Sequence, residues 1–221
     1  MIESCQTYYV NDNPEYAIIC LPGRAGNGAV FARDYLDDTR ITNAVFVGPT
    51  PVGYEWYPMP VSAMNQAAAL GGLPRARSAV ERIQKAVEKK FGIPKSKTVL
   101  TGFSAGGVMA IQAAAYSEEP YLAAVCHCGA ILEPEDLPEA NGRTTPILLT
   151  HNRDDMCFEW FERYIPMKSA LLKKGYRTFV LEGKSGGHYV EETVVQETLH
   201  FLSHQVKMEL EIDETYAKSL Q

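Results

Sequence analysis

A chain of 221 residues with 46% hydrophobic and 22% charged side chains has the composition of a globular domain and the length to bury a sizeable core. A net charge of -6 without any dense basic stretch argues against nucleic acid or an anionic membrane surface as partner. Five cysteines, single apart from the pair in Cys126-His127-Cys128, fit a reducing compartment better than a disulfide framework.

The opening MIESCQTYYVNDNPEY has acids and polar residues where a secretory signal needs a basic start and an apolar run. No apolar run approaches the roughly 20 residues that span a bilayer. The expectation is a cytoplasmic protein without an integral membrane segment.

Short apolar, β-rich runs alternate with helical patterns along the chain, which predicts one α/β domain over residues 1–221 with a mostly parallel sheet covered by helices on both faces. Thr7–Val10 offers an edge strand. YAIICL, Tyr16–Leu21, is the first clear strand, followed by a glycine-rich loop, Pro22–Gly28. AVFV, Ala44–Val47, is the next, and the Pro-rich segment Gly48–Pro60 reads as an ordered or semi-ordered loop. Ala76, Val80, Ile83, Val87 and Phe91 recur at spacings of three and four, one apolar stripe of a helix over Arg75–Phe91. Gly92 and Pro94 end it.

Strand TVLT, Thr98–Thr101, then leads into a charge-poor helix from Ser104 to Ala115. Strands follow at Leu122–Cys126, Ile147–Thr150 and Thr178–Leu181. Their continuous hydrophobicity suits strands buried on both faces. A helix is expected over Phe158–Lys174, with Pro166 kinking it or starting its main part and Gly175 ending it. A last helix runs from about Tyr189 to Ser203. The charged tail after Gln205 is either a surface helix or frayed.

The chemistry centres on Gly102-Phe103-Ser104-Ala105-Gly106, which follows a predicted strand and opens a predicted helix. That setting is the one a nucleophile elbow requires. Glycines remove side chains that would collide where a tight strand-to-helix turn holds the nucleophile in an unfavourable conformation. A serine is inert without a base, so an acid and then a histidine must follow later in the chain. The strand at Ile147–Thr150 runs into HNRDD, which places Asp154 and Asp155 at its end. The strand at Thr178–Leu181 runs into a glycine-rich loop carrying His188. Spacing alone does not choose between the two aspartates.

An oxyanion hole is expected from the backbone N–H of Ala105, which follows the nucleophile, and from a second N–H in the loop Pro22–Gly28. No Gly-Lys-Ser/Thr follows that loop, which argues against phosphate binding of the P-loop kind. His127 and His151 flank predicted strands and read as structural. His200 and His204 have the spacing of a metal pair without a third ligand pattern, so a solvated helix face is the better reading. Cys126 and Cys128 lack the two-residue spacer of common zinc and redox motifs. No metal and no organic cofactor are expected.

Together these segments resemble the phospholipase/carboxylesterase family of α/β-hydrolases, which includes the acyl-protein thioesterases. The resemblance runs from YAIICLPGRAGNG through GPTPVGYEWYP, LTGFSAGGVMA and HNRDDMCFEW to GGHYV. It implies an α/β-hydrolase fold and a serine hydrolase acting on carboxylic esters or thioesters. The family's Gly-Phe-Ser-Gln-Gly-Gly matches Gly102–Gly107, with Ala105 in place of Gln. Its His-Gly-x-x-Asp-x-x-Val aligns with His151 to Phe158, which selects Asp155 as the triad acid beside Ser104 and His188. Its first oxyanion donor maps to the N–H of Arg24.

Pro22 replaces the family's His before Gly23, Asn152 replaces a Gly, and Phe158 replaces a Val. These departures bear on the substrate rather than on the triad. Gly23, Trp56 and Phe158 are the candidate substrate-facing residues. Trp56-Tyr57, with Met59 nearby, either lines an acyl pocket or packs its own loop. The expected partner is a small-molecule or acylated ester; oligomeric state is open. The competing readings are a small-lactone hydrolase of the dienelactone type, whose nucleophile is usually Cys, a peptidase, which would need further subsite architecture, and a non-catalytic binding module on the same fold.

Overall fold

YAIICL is buried along its whole length, and its side chains alternate between the two faces of the sheet. Ala17, Ile19 and Leu21 pack on one side of the sheet, and Tyr16, Ile18 and Cys20 on the other. Both faces of this strand are therefore covered, as its unbroken apolarity requires. The protein is described from a computed structural model over residues 1–59, 63–140, 142 and 144–213.

Seven strands make one sheet: β1 (Ile2–Tyr8), β2 (Tyr16–Leu21), β3 (Ala44–Pro51), β4 (Thr98–Phe103), β5 (Ala123–His127), β6 (Ile147–Asn152) and β7 (Thr178–Gly183). Their order is β1-β3-β2-β4-β5-β6-β7. Only β1 runs antiparallel, against β3; the other pairs are parallel. The helices are α1 (Gly28–Thr39), α2 (Ala63–Phe91), α3 (Ala105–Ala115), α4 (Ile165–Lys173) and α5 (Glu192–His200). Buried side chains of α2, α3 and α4 join the Ile19 face, and those of α1 and α5 the Ile18 face. No helix among the described residues is long and apolar enough to cross a membrane.

Five features differ from the sequence reading, each for a local reason. The edge strand lies at Ile2–Tyr8 rather than Thr7–Val10, because its partner β3 extends four residues further than AVFV. Pro49 and Pro51 are tolerated in β3 because β2 pairs only with Ala44–Val47, which leaves the proline end bonded on one side. Helix α1 was not expected. The side chain of Asn27 caps it, accepting from the amides of Ala29 and Val30 at 2.9 and 3.2 Å.

Helix α2 starts at Ala63, twelve positions before the predicted start at Arg75, and carries Pro74 inside it. The tail is neither helical nor frayed as far as Asp213. Ile212 bridges Ile41, Thr42 N–H donates to the Glu211 carbonyl at 2.7 Å, and Asn43 bonds Glu209 and Glu211. Residues 214–221 lie outside the described residues. In the predicted helix Phe158–Lys174, residues Trp160–Tyr164 form one wide π turn that runs directly into α4, and Pro166, which has no N–H to donate back to that turn, sits in the first turn of α4.

Pro74 removes one backbone donor and crowds the preceding turn of α2. Pro74→Ala is expected to raise the free energy of unfolding by about 1–2 kcal/mol, measured by equilibrium denaturation with urea. An unchanged or lowered midpoint would mean that the proline fits a bend the fold needs.

Candidate active site

Ser104 sits where β4 turns into α3, with φ 54° and ψ −120°. Such a conformation costs a non-glycine residue about 1–3 kcal/mol and persists only where the surroundings hold it. The Ser104 N–H donates to the His127 carbonyl at 2.8 Å, and the Ser104 carbonyl accepts from Val108 N–H at 3.1 Å. Close packing fixes the rest. A Cβ on Gly102 would lie 2.2 Å from the Gly106 carbonyl oxygen, and one on Gly106 would lie 1.9 Å from that of Leu21. Only glycine fits at either place.

Ala105 is the first residue of α3, so its N–H belongs to the turn whose donors have no acceptor within the helix. The positive end of the α3 dipole points the same way. The loop after β2 lies directly against this turn: a Cβ on Gly23 would be 3.0 Å from the Phe103 ring and 3.3 Å from Ser104 Cβ. Arg24, next in the chain, is thereby carried to the edge of the nucleophile's pocket.

The ends of β6 and β7 bring two more groups to Ser104. His188 Nε2 is 2.9 Å from Ser104 Oγ, and His188 Nδ1 is 2.8 Å from Asp155 Oδ2. The other carboxylate oxygen of Asp155 accepts from the amides of Cys157 and Phe158 at 2.7 and 3.0 Å. Burial pushes the Asp155 carboxyl up, but the bonds from His188, Phe158 and Cys157 outweigh burial and hold it below its ordinary value. An ionised carboxylate facing Nδ1 favours the tautomer that carries its proton there. Nε2 is then left to accept from the Ser104 hydroxyl. The imidazole packs between the rings of Phe103 and Phe158, at 4.8 and 5.9 Å.

Asp154, the other aspartate of HNRDD, does different work. Its exposed carboxylate accepts from the amides of Gly186 and Gly187 at 3.2 and 2.8 Å. Asn152 Nδ2 donates to the carbonyls of Gly187 and Tyr189 at 3.1 and 3.3 Å. The residues on both sides of His188 are thus tied to the end of β6. A Cβ on Gly183 would fall 2.1 Å from Asn152 Oδ1, so a side chain there would push this amide out of its place. Sequence reasoning marked Asn152 only as a departure from a family glycine and missed this role. The signal lay in the asparagine and the glycine run taken together.

Among the sequence-selected aromatics, Phe158 lines the pocket beside Ser104 while Trp56 does not. Trp56 is 8% exposed, and its indole N–H donates to the Pro22 carbonyl at 2.9 Å, so it props the loop that carries Gly23 and Arg24. Tyr57 and Met59 reach the pocket instead, with Leu132 and Phe103. Its volume is about 470 Å3.

Of the remaining histidines, His151 borders this cluster, its Nε2 lying 3.9 Å from Asp155 Oδ2, while His127, His200 and His204 make other contacts. His127 is fully buried, bonds Thr150 Oγ1 at 2.9 Å, and is pushed down to about 4 by burial. His151 Nε2 is 2.7 Å from the Phe158 carbonyl, and its ring stacks on Tyr164. His200 and His204 stack on each other at 4.1 Å. Among the described residues, the group of ligating side chains close enough to share a metal ion is Asp155, Cys157 and His188, with ligand atoms within 4.8 Å. A cation there would have to break the Asp155–His188 hydrogen bond. Cys126 and Cys128 are free and buried, and burial pushes both thiols up, Cys128 to about 12.

A mostly parallel sheet of this order, with a serine elbow after a central strand, defines an α/β-hydrolase fold. The chain belongs to the phospholipase/carboxylesterase family, whose model matches residues 51–206. Solved structures of similar fold include esterase PE8, with 23% identity and a TM-score of 0.79 over 90% of this chain and 97% of that one. A phospholipase/carboxylesterase from Dyadobacter fermentans has 17% identity and a TM-score of 0.73, over 90% and 95%. Acyl-protein thioesterase 2 from Zea mays has 20% identity and a TM-score of 0.73, over 92% and 99%. A comparison with curated protein sequences finds no match.

The two hydrogen bonds to Asp154 protect the loop before His188. Asp154→Ala is expected to speed amide hydrogen exchange at Gly186 and Gly187 by about 5-fold to 10-fold, a net hydrogen bond being worth about 1 kcal/mol. Exchange in β4 and β5 should not change. Unaltered exchange at both glycines would show that Asn152 alone holds the loop.

Proposed function

We propose that the protein is a serine hydrolase that cleaves carboxylic esters or thioesters through an acyl-Ser104 intermediate. One observation carries this reading: the unbroken line Asp155–His188–Ser104, with hydrogen-bond distances of 2.8 and 2.9 Å. Membership of an esterase and phospholipase family and neighbours named esterase and acyl-protein thioesterase favour acyl transfer from oxygen or sulfur.

In the proposed first step Ser104 Oγ attacks the acyl carbonyl while its proton passes to His188 Nε2. The ionised Asp155 stabilises the imidazolium that forms and keeps its ring in place. Negative charge on the carbonyl oxygen is met by the N–H groups of Ala105 and Arg24, helped by the positive end of α3. His188 then gives its proton to the leaving alcohol or thiol as the carbon–oxygen or carbon–sulfur bond breaks. A water molecule, deprotonated by His188, attacks the acyl-enzyme; the released acid leaves and Ser104 regains its proton. Five free cysteines suit work in a reducing compartment.

The non-catalytic alternative has no support in the site, since nucleophile, base and acid are all in reach of one another. The elbow carries Ser rather than Cys, which sets the site apart from the usual dienelactone hydrolases.

Ser104→Ala is expected to lower kcat for p-nitrophenyl butyrate by about 10^4-fold or more without changing the circular dichroism spectrum. Asp155→Asn should cost about 10^3-fold to 10^4-fold, because it upsets the His188 tautomer. Asp154→Asn should cost about 10-fold or less. Retained turnover in clean Ser104→Ala protein would remove Ser104 from the mechanism, and a reversed order of the two aspartates would exchange their roles.

A further inference from the structure

The pocket beside Ser104 has a charge pattern that ester hydrolysis alone does not call for. Two arginines, Arg24 and Arg163, line it and, among the described residues, no Asp or Glu does, although the chain as a whole carries a net charge of -6. The two cations differ in what holds them. Arg24 is engaged by the Glu55 carboxylate and by the Tyr57 carbonyl. Arg163 is half-buried and makes no ion pair within 4.0 Å among the described residues. The acid that feels its charge, Glu159, is fully exposed and lies outside the pocket lining.

The backbone of Arg163 is also held in place. It belongs to the π turn Trp160–Tyr164, whose Trp160 and Tyr164 are buried and packed on each other at 4.7 Å. Its N–H donates to the Glu159 carbonyl at 2.9 Å. Single π turns are frequent at functional sites, although a second one here, Phe201–Gln205, lies away from this pocket. A guanidinium removed in part from water gains when an anion replaces the lost solvation, and its planar fork matches the paired oxygens of a carboxylate or phosphate. Tyr57, Met59, Leu132 and Phe158, in the same pocket, offer apolar surface to a short hydrocarbon segment.

We propose that Arg163 is an anion subsite and that the substrate is a small ester bearing a carboxylate or phosphate a few atoms from the scissile bond. This inference rests on the esterase reading above. It narrows that reading from esters in general to anionic ones, and it makes Arg163 a specificity-determining residue.

Two pairs of esters test it, with Ser104→Ala run beside each. Monoethyl glutarate is compared with diethyl glutarate, and 1-butyrylglycerol 3-phosphate with 1-butyrylglycerol; the first pair carries the anion on the acyl side and the second on the alcohol side. For at least one pair the charged ester should have a kcat/KM about 10-fold or more above its neutral partner. Arg163→Gln should lower that ratio by about 10-fold to 100-fold, the range for a hydrogen bond to a charged group. Arg163→Lys should keep part of it, and rising salt should shrink it, since the site is partly exposed.

The pair that responds identifies the anion as carboxylate or phosphate. Ratios near one in both pairs, or a ratio untouched by Arg163→Gln, would overturn the subsite while leaving the esterase reading intact. No turnover of any of the four esters would likewise overturn the small anionic ester as substrate, whereas turnover that survives Ser104→Ala would overturn the esterase reading instead.

Discussion

The site depends on the backbone of one residue. Ser104 adopts φ 54° and ψ −120°, a conformation it would abandon if the chain around it were free. Glycine at 102 and 106 lets β4, α3 and the end of β2 approach within distances that no Cβ allows. The Ser104 N–H, bonded to the His127 carbonyl, continues the β4–β5 ladder by one step. The strained turn is thereby fastened on both flanks, to Leu21 of β2 and to His127 of β5. On the proposed mechanism this rigidity serves catalysis, because the Oγ position is set before substrate arrives.

Sheet order then decides which loops reach the serine. β4 lies between β2 and β5, and β6 and β7 follow on the β5 side. All these strands are parallel, so their C-terminal ends open onto one rim, where open α/β sheets place their ligand sites. The β2 end supplies Gly23 and Arg24, the β6 end Asp155, and the β7 end His188. The His188 loop comes from the most distant of these strands, and it is tied down at several points: Asp154 and Asn152 hold the residues flanking the imidazole, while the Cys128 thiol adds a contact to the Tyr189 carbonyl at 3.3 Å. Of the two adjacent aspartates, one faces inward to the imidazole and its neighbour faces outward to the loop backbone.

What the sequence discloses follows from how local each constraint is. Strands buried on both faces are unbroken apolar runs, so β2, β4, β5 and β6 are readable from composition. The elbow is readable because its stereochemistry falls on five consecutive residues. Asp154 and Asp155 are indistinguishable by spacing, since both follow β6 directly; what separates them is a turn closed by Asp155 N–H on the Asn152 carbonyl at 3.2 Å. Helix α1 was hidden because its cap, Asn27, lies in a glycine loop that invites a different reading. The first twelve residues of α2 were hidden by Pro74, a residue that normally ends a helix. Trp56 looked substrate-facing beside Tyr57, and only tertiary packing shows that the indole turns inward to Pro22 while its neighbour faces the pocket. Arg163 carries no local signal, because its place in the pocket comes from the π turn before α4.

The central claim is covalent chemistry at Ser104, and mass spectrometry of the protein treated with a fluorophosphonate tests it most directly. The account predicts a single adduct, mapped by peptide fragmentation to Ser104, that forms far more slowly in His188→Ala. An adduct on another residue, or ester turnover that continues while Ser104 stays unmodified, would contradict it.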